Sequence, residues 1–414
     1  MTGRRVVITG LGVVCSIGLG KESFWSALLE GKSGIRSIQS FDASSYSCQI
    51  AGEIIDFRPE DYIPPSEVPK LSRASQFAMA AAKMAIDDAQ LDFSRENGCR
   101  VGVVIGTGLG GMDVYETQLR RLIETNNPRR VHPWSVPSTM SNAPAAEIAI
   151  FFGLKGPNMT ISTACSSGSH AIGCGFDLIR IGKADFIVAG GTEACILPGV
   201  LAAFCSLRAL SIRNETPDRA SRPFDKKRDG FAMGEGAGIL ILETLESARR
   251  RGVTIYAEVA GYGATCEATH IVHPESTGSE GARVMKLALQ DAGISPAEVD
   301  YINTHGTSTV LNDRVETKAI KRIFGEHAYG ISLDSTKSMI GHTIGAAGAI
   351  EGIVSALTLQ QRIIHPTTNY EEPDPECDLD YTPNLARERH VKVALSNSFG
   401  FGSNNCCLVM KAVS

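Results

Sequence analysis

The chain has 414 residues, 43% hydrophobic and 21% charged, with a net charge of −5 at pH 7. That length calls for two domains or two fused halves. The mild acidity gives no overall attraction for nucleic acid or an anionic membrane, and no apolar run approaches the roughly eighteen residues a bilayer span needs. Eleven cysteines at scattered spacings without a CxxC pair exclude a small disulfide scaffold, so a reduced, cytoplasmic protein is expected.

The N-terminal MTGRRVVITGLG enters a strand pattern directly, and no signal peptide is expected before it. Helical spacing follows in ASQFAMAAAKMAIDDAQ, then a β-branched strand, RVGVVIGTG. Gly106, Gly108 and Gly111 fit GxGxxG, and DVYETQLRRLIE supplies a helix after it. Residues 124–140 are polar and proline-containing, so the second strand of a dinucleotide fold is missing. A backbone lining beside a bound chain is the better reading of that turn. Further along come the strand KADFIVAGG, the strand GILILE and a basic run, Arg249-Arg250-Arg251, read as a solvated helix end.

The theme then repeats. IYAEVAGYG is a strand and GARVMKLALQDAG a helix; VDYINTHG is a strand and NDRVETKAIKRIFG a helix. GAAGAIEGIVSALTLQQ reads as a long helix, EEPDPECD as a surface loop, and KVALSNSFG and NNCCLVMKA as a final strand pair. Strands alternating with helices indicate an α/β architecture with buried strands. The repetition suggests an internal duplication whose halves, 1–253 and 254–414, meet near RRGVTI.

Cys165 stands out among the cysteines. TISTACSSGSHAIG places it between a strand and a helix, among residues too small to shield it. A helix N-terminus favours thiolate, the nucleophilic form; the bland alternative is a buried cysteine acting as a small hydrophobe. His305, in INTHGTSTVLND, and His342, in STKSMIGHTIGAAGAIE, each lie in a turn of small residues, with Lys337 five positions before His342. Phe399 and Phe401 alternate with Gly400 and Gly402 in SNSFGFGSNN, either as a mobile aromatic or as a core plug. His132, His170, His270 and His273 show no metal-ligand spacing and read as structural or solvent-facing, and no metal site is expected.

TACSSG, NTHGTST, TKSMIGH and NSFGFGSNN stand in the order and spacing of the thiolase-like condensing enzymes. The chain most resembles the β-ketoacyl-[acyl-carrier-protein] synthases of type II, and VVITGLGVVCSIG, RPFDKKRDGFAMGEGAGILILE and DLDYTPNLAR extend the resemblance over its length. The resemblance implies a duplicated five-layered α/β/α/β/α core, a homodimer, and no cofactor beyond the phosphopantetheine arm of an acyl carrier protein. It implies that Cys165 accepts an acyl chain and that His305 and His342 stabilise the enolate left when malonyl-carrier protein loses its carboxylate. Lys337 and Glu351 would support them, and the N–H groups of Cys165 and Phe401 would hold the thioester oxygen. Phe401, with Gly400, Gly402 and Phe399, matches a gate, Thr307 and Thr309 match pantetheine contacts, and Leu109 matches an acyl-pocket residue. Val310, Ile340, the Thr343-Ile344 pair and Val272 depart from the usual pattern. They leave open a second reading, a ketosynthase subunit of a type II polyketide system, aromatic or polyene, paired with a chain-length partner. A non-catalytic subunit would characteristically lack the cysteine, and a simple thiol hydrolase would leave the second histidine and Lys337 without a role.

Overall fold

The computed structural model describes residues 4–93 and 96–413. The β-branched runs form strands that, apart from the edge strand Asn158–Ile161 and the end of Ala257–Cys266, are largely buried on both faces, as expected where helices cover a sheet on each side. In the first half these are β1 (Val6–Cys15), β2 (Val101–Gly106), β3 (Asn158–Ile161), β4 (Phe186–Glu193) and β5 (Gly236–Thr244). The second half contributes β6 (Ala257–Cys266), β7 (Tyr301–Asn303), β8 (Ser332–Asp334), β9 (Val393–Gly400) and β10 (Asn404–Lys411). The main helices are α1 (Arg73–Asp88), α2 (Ala143–Phe152), α3 (Ser167–Arg180), α4 (Ser279–Ala292), α5 (Val310–Phe324) and α6 (Ala347–Gln361).

The strands run β8-β7-β9-β10-β6-β1-β5-β4-β2-β3. Each half therefore has its third, second, fourth, fifth and first strands in that order, with the first two pairings parallel and the last two antiparallel. The first strands of the two halves pair over Val6–Ile8 and Ala257–Val259 and then diverge to their own sheets. Helices α1 and α2 cover the first sheet, α3 and α6 lie between the sheets, and α4 with α5 cover the second. This is the duplicated five-layered α/β/α/β/α core.

The duplication extends to single residues. Both first strands shift register at a glycine, Gly10 and Gly261. The pairs Gly10/Gly12 and Gly261/Gly263 let α1 and α4 settle directly on the backbone. A Cβ at Gly12 would stand 1.9 Å from the Ala81 carbonyl oxygen, and one at Gly263 2.5 Å from that of Val284. The buried alanines of α1, among them Ala78, Ala81, Ala82 and Ala85, make the approach possible. Gly12→Ala is expected to destabilise the protein by at least about 1–3 kcal/mol, because a rigid helix backbone must move to admit one methyl group. Chemical denaturation checks this; an unchanged midpoint would contradict the contact.

Residue 253 falls in the connection between the helix Leu245–Arg251 and β6. The basic run is only partly solvated: Arg251 turns inward to the buried Glu243 carboxylate at 3.0 Å and donates to the Ala89 carbonyl at 2.7 Å. Among the described residues no helix is long and apolar enough to cross a membrane.

Candidate active site

The connections leaving β3 and β8 carry the two central turns. After β3 the chain bends through Ala164, a non-glycine residue at φ 51°, into a 3-10 turn, Ala164–Ser166, and then α3. Hydroxyls close the bend: Ser166 Oγ donates to the Thr163 carbonyl at 2.8 Å and Ser167 Oγ to that of Ala164 at 2.7 Å. Before α6, Ile344 at φ 45° occupies the matching place, with Gly345 where the first half has Cys165.

Cys165 is 6% exposed, and its own N–H and that of Phe401 are both directed at its sulfur. The sequence led to an expectation of a depressed thiol pKa, and the structure corrects it. Burial pushes the thiol up to about 11, against the opposing pull of the Phe401 N–H and the Lys337 charge. A helix N-terminus is worth at most about 2 kcal/mol, roughly 1.5 pKa units, whereas full burial shifts a group by about 3–5 units. Burial wins.

His305 follows β7. Its N–H and that of Gly306 donate to the buried carboxylate of Glu316 on α5, each at 2.8 Å. His342 is held through its backbone, its N–H donating to the Ala232 carbonyl at 2.7 Å. The ring Nδ1 of His342 accepts the Ile344 N–H at 3.3 Å, which leaves the ring proton on Nε2. The two imidazoles meet edge to face with centroids 5.4 Å apart. Burial, then the Lys337 charge, holds both well below the ordinary histidine pKa. Both are therefore neutral at pH 7. Lys337 and Glu351 form an ion pair beneath them, each side chain 1% exposed.

These groups converge on one cavity of about 290 Å3. Cys165, His305, His342, Phe399, Gly400 and Phe401 form its floor, with Phe231 packed edge to face on His342. Thr307 and Thr309 line it further out; their hydroxyls lie 2.9 Å apart, and Thr309 also caps α5. Arg208, Val272, Val310 and the stacked exposed pair His270 and His273 stand at its mouth. Gly402, at φ 79°, does not line the cavity, and its N–H ties the turn after β9 to the Ile271 carbonyl at 2.7 Å. Gly400 serves close approach, since a Cβ there would lie 2.5 Å from the Thr163 carbonyl oxygen. Lys337 and Glu351 lie behind the cavity wall. Leu109 is not part of the lining; it packs in the apolar cluster that buries Cys165 and Ile344.

The glycine turn after β2 holds no space for a pyrophosphate. Its Gly108 and Leu109 N–H groups, which would face one, donate to the Glu193 carboxylate at 2.7 and 3.1 Å. Glu193, Glu316 and Phe231 went unnoticed in the sequence. The only signal was an acidic residue ending a run of apolar and small residues for Glu193, and one on the inward face of an amphipathic helix for Glu316. Among the described residues no three histidine, cysteine or carboxylate side chains are grouped to hold a metal ion.

Comparison with known proteins gives a consistent result. The profile of the β-ketoacyl synthase N-terminal domain matches residues 3–248 and that of the C-terminal domain residues 256–371. The chain is 48% identical over 408 residues to a 3-oxoacyl-[acyl-carrier-protein] synthase 2 of Synechocystis sp., covering 99% of this chain and 98% of that one. It is 46% identical over 413 residues to the protein of the same description from Coxiella burnetii, covering all of both. Among solved structures, AntDE:AntF, a type II polyketide acyl-carrier protein in complex with its ketosynthase, superposes with TM-score 0.92 at 38% identity and full coverage. The ishigamide ketosynthase/chain length factor gives 0.93 at 38%, again over both whole chains.

Proposed function

This chain belongs to the β-ketoacyl synthase family, and we propose that Cys165, His305 and His342 carry its reaction, with Lys337 holding the charge around them. The reaction is the decarboxylative Claisen condensation of an enzyme-bound acyl chain with malonyl-acyl-carrier protein, the elongating step of fatty acid biosynthesis. The observation that supports these roles is the convergence of one thiol, two neutral imidazoles and two backbone N–H groups on one cavity.

In the first stage the Cys165 sulfur attacks the carrier thioester. The new S–C bond replaces the old one, and the carrier thiol leaves with the proton. His305, neutral and with no hydrogen-bond partner on Nδ1 among the described residues to fix its tautomer, takes the thiol proton as the sulfur attacks and passes it to the leaving carrier thiol, which answers the high pKa of Cys165. In the second stage the malonyl C–carboxylate bond breaks, CO2 departs, and its electron pair becomes an enolate. His342, with its proton fixed on Nε2, donates to that oxygen, and His305 donates from across the cavity. The enolate carbon then attacks the Cys165 thioester carbonyl, whose oxygen is received by the Cys165 and Phe401 N–H groups. Collapse returns the thiolate and releases the β-ketoacyl carrier. His305→Ala and His342→Ala are each expected to lower malonyl decarboxylation by on the order of 10²-fold. A radiolabelled CO2-release assay measures it, and unchanged release in both variants would place the enolate elsewhere.

Phe401, with Phe399 beside it, is the gate next to Cys165 within this floor, and Thr307 and Thr309 bind the pantetheine arm as it enters from the mouth. Leu109 shapes the acyl pocket from behind Cys165, through the cluster it shares with that residue. No other cofactor is needed, and we place the protein in the cytoplasm. A second copy covers the edge of the first sheet. There β3 is unpaired on its outer side among the described residues, and Ile150 of α2, the helix packed on β3, is 76% exposed. Such an apolar edge is expected to be covered.

Intact-protein mass after incubation with acyl-carrier proteins of graded chain length tests the whole reading, together with the mass of the native particle. An adduct on Cys165 in a homodimer active alone supports it. The likeness to type II polyketide ketosynthases at 38% identity, below the 46–48% to the fatty acid enzymes, keeps one rival in the test. Activity only with a homologous chain-length partner would establish that rival.

A further inference from the structure

Glu193 ends β4 fully buried, and the reaction above gives it no part. Its carboxylate accepts four hydrogen bonds. Oε1 takes the Thr107 hydroxyl at 3.2 Å and the Leu109 N–H at 3.1 Å; Oε2 takes the Gly108 N–H at 2.7 Å and the Gly345 N–H at 3.0 Å. All four partners are donors, which fills a carboxylate's acceptor sites without a cation. Three chain segments meet here: the end of β4, the turn after β2 and the turn before α6. They meet without slack, since a Cβ at Gly345 would stand 2.7 Å from Oε2 and 2.5 Å from the Gly108 nitrogen.

The two turns carry different halves of the chemistry. The turn after β2 bears Leu109, whose side chain packs in the cluster around Cys165 and Ile344. The turn before α6 bears His342, whose Nδ1 takes the Ile344 N–H next to the Gly345 N–H that Glu193 takes. We propose that Glu193 is a positioning residue for the condensation, its carboxylate fastening the turn beside the acyl chain to the turn that orients the malonyl histidine. The proposal rests on the roles given above to Cys165 and His342. The pantetheine contacts are outside its reach, because Glu316 holds their turn instead.

Glu193→Gln keeps the shape but turns an amide NH2 toward N–H donors, so at least one turn is released. A displacement of about 1 Å at a reacting group costs up to on the order of 10²-fold. In the purified enzyme we expect kcat for malonyl decarboxylation to fall by roughly tenfold to a hundredfold with KM for malonyl-carrier protein unchanged. Acylation of Cys165 is expected to slow more for long chains than for short ones. Glu193→Asp, which keeps the charge, should recover part of both. A merely structural role would lower the folded fraction, which cuts the apparent rate for every substrate alike at constant KM, so kcat is taken per folded enzyme and the bias against long chains is the readout that loss of folded protein cannot produce. Folded Glu193→Gln with wild-type kcat overturns the proposal. If that variant does not fold, Thr107→Val, which removes one donor to Glu193 and the acceptor of the Gly110 N–H, decides: a fall in kcat per folded enzyme at constant KM, larger for long chains in the acylation step, supports the proposal and a wild-type kcat overturns it. A wild-type enzyme with neither Cys165 adduct nor decarboxylation would instead sink the underlying roles.

Discussion

Cys165→Ala will carry no acyl adduct, and its condensation rate will fall by at least on the order of 10⁴-fold, as when a covalent nucleophile is removed elsewhere. No neighbouring group can replace the thiol. Cys165 is the one cysteine lining the cavity among the described residues. Ser166 and Ser167 are near, but their hydroxyls are committed to the Thr163 and Ala164 carbonyls and close the turn. Decarboxylation of malonyl-carrier protein will survive in the variant, because the imidazoles that receive the enolate are untouched. The free thiol also has a predictable pH response. With its pKa pushed up to about 11 by burial, alkylation of the wild-type enzyme by iodoacetamide will rise close to tenfold per pH unit from 7 to 10. A plateau near neutrality would mean that the turn stabilises thiolate more strongly than burial opposes it.

Lys337→Met will cost about 1–3 kcal/mol of stability, since it leaves the Glu351 carboxyl, already raised to about 7 by burial, in the core without its partner. Lys337 and Glu351 are each 1% exposed, and Glu351 Oε2 has no other partner among the described residues. Lys337→Met with Glu351→Leu will recover most of that loss, because an apolar pair of similar volume replaces a desolvated ion pair. Activity will not return with stability. The Lys337 charge is the second cause, after burial, that holds His305 and His342 below their ordinary pKa. The sign of the pH dependence follows. Unfolded histidine binds a proton near pH 6.5 that the folded site refuses, so the two imidazoles withdraw stability as the pH drops below 6.5, against the buried carboxyls of Glu193, Glu316 and Glu351, raised to about 7, which add it. Without Lys337 both folded pKa values rise and that slope flattens. Urea titrations across this range measure both effects; a single variant as stable as wild type would show that the pair is not closed in the native protein.

The catalytic turns were legible because their requirements are local. Small residues around Cys165, His305 and His342 let backbone N–H groups and substrate come close, and such runs are visible in one dimension. The strands and helices were legible for the same reason, from β-branched runs and helical spacing. The duplication was fainter. Its clearest mark, Gly10/Gly12 against Gly261/Gly263, is a packing demand between a strand and a helix some 20–75 residues later, and it gains meaning only when each helix is seated.

What depended on distant partners was hidden. The thiol pKa was read from the helix beside it, yet it is set by the burial that five layers impose on the cavity floor. The glycine turn looked like a phosphate cradle until Glu193, 85 residues on, took its N–H groups. The sequence by itself determined the elements and the turns that bear Cys165, His305 and His342, since helix and strand periodicity and turn chemistry act over a few residues. Only the tertiary structure decided their protonation, their tautomers and the carboxylates that hold them in place, because desolvation and hydrogen bonding are properties of the assembled interior.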